Sequence, residues 1–194
     1  MKKVTSAISM SLDAFVAGPN QSFEKPFGDI PEDFLHHWMF DEPEKHQAEI
    51  NALTDAGAFI MGSNMFGPKE KRESPDWKGW WGDNPVYHAP VFVLSHKQRD
   101  PIAMEGGTTY IFIADGIEAA LSTAKEAAGQ RNVAIMGGAN TINQYLSAGL
   151  LDDTVPDMSD QWCTAYFKRF KLQIGNILKE TCSRTTGDGR DVEP

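Results

Sequence analysis

Short apolar runs alternate with amphipathic stretches along most of the chain. Residues 3–10 read as a strand, and Ser11-Leu12-Asp13 turns it toward a second apolar piece at 14–17, which stops at Gly18-Pro19. The glycines, prolines and polar residues of 20–30 indicate a loop long enough to act as an active-site flap. A helix is expected over 31–40, with Pro31 in its first turn and Glu32 and Asp33 at the positive end of its dipole. A second, at 44–55, puts Ile50 and Leu53 on one side and leads into a strand at 58–61. Residues 68–90 are irregular; Trp77, Trp80 and Trp81 within them could stack on a heterocycle, although a surface loop pinned by aromatic packing is the plainer reading. Strands follow at 91–94, 108–114 and 132–136, with helices at 116–128 and 139–147. Ala119, Ala120, Leu121, Ala124, Ala127 and Ala128 give the first of these helices a small apolar face for packing on a sheet. Strands alternating with helices predict an α/β fold with a largely parallel central sheet, without internal repeat or clear linker.

Three strand ends carry candidate chemistry. Val133-Ala134-Ile135-Met136 breaks at Gly137-Gly138 and passes directly into a helical pattern, which aims unpaired backbone amides past the strand end, where a phosphate can accept them. Two glycines alone are a weak signal, because any tight connection tolerates glycine. A second junction of the same kind, Met61-Gly62-Ser63-Asn64-Met65-Phe66-Gly67, suggests a ligand with more than one phosphate. The third run, Val91-Phe92-Val93-Leu94, ends in Ser95-His96-Lys97-Gln98-Arg99. Lys97 and Arg99 fit a solvated basic turn; Ser95 and His96, nearest the strand end, are better placed to touch a ligand. An adenosine 2′-phosphate there would explain the positive charge and favour NADPH over NADH.

A chain of 194 residues that is 41% hydrophobic suits one domain with its own core. No apolar run approaches the length of a membrane span, and Met1-Lys2-Lys3-Val4 leads into a strand rather than a signal peptide, so a soluble cytoplasmic protein is expected. Cys163 and Cys182 have no metal-ligand spacing with the five histidines, which argues against a disulfide framework and a metal site. A net charge of −9 without a long basic stripe argues against nucleic acid as a partner. It also means that an anionic ligand needs a local patch of opposite sign.

Taken together, the segment 9–19, the junction 61–66, Val93-Leu94-Ser95-His96 and Met136-Gly137-Gly138-Ala139-Asn140 resemble the dihydrofolate-reductase-like superfamily. Within it, the chain is similar to the C-terminal reductase domain of the riboflavin-pathway bifunctional deaminase-reductase. The resemblance implies a three-layer α/β/α fold with a mixed, largely parallel sheet over 1–153, and an NADPH molecule lying across the strand ends. By that resemblance Ser9 and Ala17 contact the nicotinamide end, and Gly62, Ser63 and Met65 face the phosphates. Ser95 and His96 approach the 2′-phosphate. Gly137, Gly138, Ala139 and Asn140 hold the pyrophosphate, with a Gly137–Gly138 bond that is often cis in the superfamily. Asp13 is the carboxylate expected beside the nicotinamide, for substrate binding or proton relay; fixing the turn after the first strand is an equal alternative. Trp38 and Asp41, with His36 and His37, lie on the helix that faces substrate in the superfamily, although such a Trp is more often core. A homodimer is a further implication.

Two departures limit the resemblance. Where riboflavin-pathway reductases carry an acidic segment for a ribityl phosphate substrate, this chain has Gly67-Pro68-Lys69-Glu70-Lys71-Arg72. After Asp153 the expected apolar strands are not recognisable, and 154–194 reads as an atypical segment, of frameshifted or recombined origin, with a disordered end. The expected function is therefore an NADPH-dependent reductase of a pyrimidine- or pterin-like heterocycle, similar to the domain that reduces 5-amino-6-(5-phosphoribosylamino)uracil. Dihydrofolate reductase activity and a non-catalytic nucleotide-binding relic are the alternatives.

Overall fold

The structure, a computed structural model, describes residues 2–11, 15–30 and 35–158. In chain order its elements are β1 (Val4–Met10), α1 (His37–Phe40), α2 (Gln47–Thr54), β2 (Ala58–Gly62), α3 (Ser63–Phe66), β3 (Pro90–Leu94), β4 (Ile102–Ala103), β5 (Thr109–Ile113), α4 (Gly116–Ala128), β6 (Val133–Gly137), α5 (Ala139–Ser147) and β7 (Asp153–Met158). The strands form one sheet in the order β4-β5-β3-β2-β6-β1-β7. Every neighbouring pair is parallel except β4 with β5.

The apolar runs become central strands because both of their faces are covered. All five residues of β2 are buried, and they alternate between two cores, as the period of two along a strand requires. On one face Ile60, Phe92, Val133 and Ile135 meet Ala120, Leu121 and Ala124 of α4 and Ile142 and Tyr145 of α5. On the other, Phe59, Met61, Val91 and Val93 pack with Phe66 of α3, Tyr87, Tyr110 and Phe112. The Tyr145 hydroxyl donates to the Ile117 carbonyl at 2.8 Å and ties α5 to α4. The result is the three-layer α/β/α arrangement expected from the resemblance.

The irregular stretch before β3 is held by aromatic packing. Trp77 meets Trp80 edge-on at 5.1 Å and Phe23 at 5.9 Å, and its indole N–H donates to the Phe66 carbonyl at 3.0 Å. No helix among the described residues is long and apolar enough to cross a membrane.

Some expectations change. The second helix begins at Gln47 rather than at 44, because a turn in which His46 N–H donates to the Pro43 carbonyl precedes it. The first is described only as the single turn α1, since 31–34 lie outside the described residues. The two-residue β4 is too short to leave a pattern in the sequence. The larger correction concerns the tail. Residues 154–158, read as having lost the family's strands, form β7 with Asp153 and pair with β1 from Thr5↔Asp153 to Met10↔Met158. Two reciprocal bonds set that register: Val4 N–H donates to the Asp152 carboxylate, and Asp152 N–H to the Val4 carbonyl, each at 2.8 Å. Pro156 hides the strand from a periodicity count, yet β7 is outermost among the described strands, and an edge is where a proline is tolerated. The disordered end expected for the C-terminus falls outside the described residues.

Candidate functional site

Because the six long strands are mutually parallel, their carboxyl ends share one edge of the sheet. The candidate junctions therefore converge there. Ser95 and His96 follow β3, Gly62 and Ser63 join β2 to α3, Gly137 through Asn140 join β6 to α5, and Ser9 is near the end of β1. With strands about 4.8 Å apart, the sequence β3-β2-β6-β1 spreads these groups over roughly 14 Å in one direction.

Between β2 and β6 the connections diverge. β2 leads through α3 on one face toward β3, whereas β6 leads through α5 on the other face toward β7 on the far side of β1. A crevice outside the strand ends at such a point is where open α/β sheets bind ligands. The two glycine junctions flank this point.

The three glycines there have different reasons to be glycine. A Cβ on Gly62 would lie 2.4 Å from the Thr141 hydroxyl, so glycine lets β2 approach α5. Gly137 has φ +119°, a conformation open to glycine, with Met65 Sδ 3.4 Å from the place of a Cβ. Gly138 has φ −67° and ψ −177°, ordinary for any residue, and nothing lies within 4 Å of where its Cβ would be. The chain itself thus leaves Gly138 bare toward open space. The Gly137–Gly138 bond is cis. At the start of α5, the amides of Ala139 and Asn140 have no intrahelical acceptor, since the first backbone donors of a helix never do.

Beside the β2–α3 junction and the end of β3 is a cavity of about 290 Å³, bounded by Ser63, Arg72, Glu73, Ser95, His96 and Lys97 among others. It brings together Ser63, Ser95 and His96. The basic turn beyond β3 is only partly solvated. Lys97 is exposed and paired with Glu73 at 2.7 Å. Arg99 is instead committed to the fold: its guanidinium donates to the carbonyls of Arg72, Pro75 and Trp77 at 3.0–3.2 Å and sits over the Phe112 ring at 5.1 Å. Nothing local in the sequence signals these partners. Arg72, quoted above only as part of a departure from the family, lines the cavity.

The substrate-side candidates lie on other elements. Ala17 precedes Gly18, whose N–H donates to the Phe27 carbonyl at 2.8 Å, and the Phe27 ring meets His36 at 4.7 Å. Trp38 in α1 meets His46 edge-on at 5.7 Å, and Asp41 follows the end of that helix. Burial holds the His36 imidazole below its ordinary pKa. Asp13, the proposed carboxylate, lies outside the described residues, while Ser11 N–H donates to the Phe15 carbonyl at 2.9 Å across the same turn.

The model of the RibD C-terminal domain family matches residues 2–155, which takes in every described strand but the last residues of β7. Among solved structures, one from Shewanella sp. PV-4, described as a "Putative riboflavin biosynthesis protein", is similar at 19% identity, over 80% of this chain and 76% of that one, with a TM-score of 0.44. Comparison with curated proteins gave no match. Since the family match spans most of the sequence, the chain belongs to the RibD C-terminal domain family, a family of reductases.

Proposed function

We propose that the chain is an NADPH-dependent reductase that delivers hydride to a pyrimidine- or pterin-like heterocycle. The observation that carries this reading is the bare Gly138 at the divergence of β2 and β6, on the same sheet edge as a cavity at the ends of β2 and β3 lined by Ser63, Arg72, Glu73, Ser95, His96 and Lys97. A dinucleotide fits what these residues offer. The adenosine 2′-phosphate suits Ser95 and His96. The pyrophosphate suits Gly137, Gly138 and the amides of Ala139 and Asn140, with Gly62, Ser63 and Met65 closing the other wall. The nicotinamide end then falls at β1, near Ser9 and Ala17. The order of the junctions across the sheet, β3 then β2 and β6 then β1, follows the order of these groups along the cofactor.

When bound, the nicotinamide supplies the hydride; the chain's own work is to bind, orient and shield. The open Gly138 admits close approach of phosphate oxygens to backbone amides. Trp38 and the aromatic cluster around Phe27 and His36 provide an apolar wall that keeps water from a planar heterocycle. Asp41 would anchor polar edges of that ring, and Asp13 is assigned to substrate binding or proton relay. A relic that binds nucleotide without turnover draws its motive from a broken C-terminal sheet, and β7 covering β1 weakens that motive.

The test is NADPH binding by fluorescence followed by oxidation assays over a panel of pyrimidines and pterins. Binding with turnover is expected. Binding without turnover would favour the relic, and absence of binding would defeat both readings.

A further inference from the structure

The cavity beside β3 holds charges that are not equivalent. Lys97 is already neutralised by Glu73, with both side chains exposed to solvent. Arg99 is spent on three carbonyls of the 72–77 segment and on the Phe66 and Phe112 rings, at 5.9 and 5.1 Å. Arg72 differs: its guanidinium donates to the neutral side-chain oxygen of Asn64, and among the described residues no carboxylate lies within ion-pair distance of it. Glu73 lines the same cavity and its carboxylate also feels Arg72, but its hydrogen bond is to Lys97, so Arg72, bonded to a neutral acceptor beside Ser63, Ser95 and His96, is the cation left to meet an incoming anion.

Its backbone is also fixed in advance. Lys71 and Arg72 N–H groups both donate to the Pro68 carbonyl, at 3.0 and 2.9 Å, and Trp77 fastens the far end of the segment to Phe66. Arg99 grips the Arg72 carbonyl itself. Little ordering remains to be done when a ligand arrives.

We propose that Arg72 is the residue by which this chain discriminates a 2′-phosphorylated dinucleotide from its unphosphorylated counterpart, and that Arg99 is the positioning residue that holds it there. The inference rests on the NADPH reading above and deepens it. A phosphomonoester offers the fork of a guanidinium two acceptor oxygens, whereas a ribose hydroxyl offers one neutral oxygen.

The experiment titrates wild type, Arg72→Gln, Arg72→Lys and Arg99→Lys with NADPH and with NADH in parallel, after circular dichroism has shown each to be folded. The Arg72 side chain is outside the turn's backbone bonds, so its variants are expected to fold. Arg72→Gln should weaken NADPH by roughly 10- to 100-fold, the range set by hydrogen bonds to a charged group, with NADH unchanged. Arg72→Lys should fall between, and Arg99→Lys should lower the NADPH-to-NADH affinity ratio, which a purely structural role would leave constant. Equal weakening of both cofactors by Arg72→Gln, or none of either, overturns the inference. Wild type that binds both equally and turns over also overturns it while the hydride-transfer reading stands; wild type that binds neither overturns both.

Discussion

The glycine series at the two junctions separates space needed by the fold from space left for a ligand. Alanine at position 62 would bring a methyl group to 2.4 Å from the Thr141 hydroxyl, a side chain that is itself buried. Relieving such an overlap costs about 1–3 kcal/mol. Alanine at 137 must adopt φ +119°, for about 1–3 kcal/mol of backbone strain. A Cβ at 138 meets nothing within 4 Å, at ordinary dihedrals. For alanine the reduced freedom of the unfolded chain then stabilises by about 0.4–1 kcal/mol. In thermal melts without ligand, 1 kcal/mol corresponds to about 2–4 °C for a domain of this size. Gly62→Ala and Gly137→Ala should therefore melt roughly 2–12 °C below wild type, and Gly138→Ala at or slightly above it. NADPH titration should invert the order of severity: Gly138→Val loses binding by more than tenfold while remaining folded. A Gly138→Val protein that binds NADPH as tightly as wild type would refute the placement of the pyrophosphate. One that melts far below wild type would refute the claim that this space is empty of protein.

Removing the grip of Arg99 by Arg99→Met leaves three carbonyls without their donor and should cost about 2–4 kcal/mol, read from urea denaturation. Burial raises the Tyr110 phenol to about 12 and pushes Tyr87 and Tyr145 up as well. The folded state then holds protons that the unfolded state releases near pH 10, so this contribution to stability is intact below pH 10 and is lost as pH rises toward 12. In a Tyr166→Phe background, the tyrosinate absorbance of these three residues should accordingly rise together with loss of the circular dichroism signal, not before it. His36 has the opposite sense: its lowered pKa favours the neutral ring, so its contribution is present above pH 6.5 and lost on acidification. Replacing His36 by Phe should flatten the dependence of stability on pH below that point.

What could be read from the sequence depended on how local the cause was. The range 116–128 is predicted and found for α4 because its apolar alanines share one face and Gly129, at φ +61°, stops it. The strands β2 and β3 announce themselves as unbroken apolar runs because both of their faces are covered. β7 does not, since its pairing comes from Asp152 meeting Val4 across the length of the chain, and Pro156 interrupts any alternation. The site shows the same division. Its junctions are legible because strand ends carry glycine and hydroxyl residues in runs, and parallel strands bring such ends to one edge. Arg99 looked like part of a solvated turn because the carbonyls it serves belong to a distant segment. The available hint for Arg72 was a basic stretch placed directly after a phosphate-ready junction.

The sheet order has an outcome for biosynthesis. β1, the first of the described strands in chain order, lies between β6 and β7, so Ser6 waits for Ile135, 129 residues later, to bury its hydroxyl. Until that late segment leaves the ribosome both flanks of β1 stay bare, while β2, β3 and β5 can already assemble. Native pairing of β1 is thus among the last events of assembly of this sheet, and nascent chains arrested before residue 133 should present β1 to chaperones or to one another.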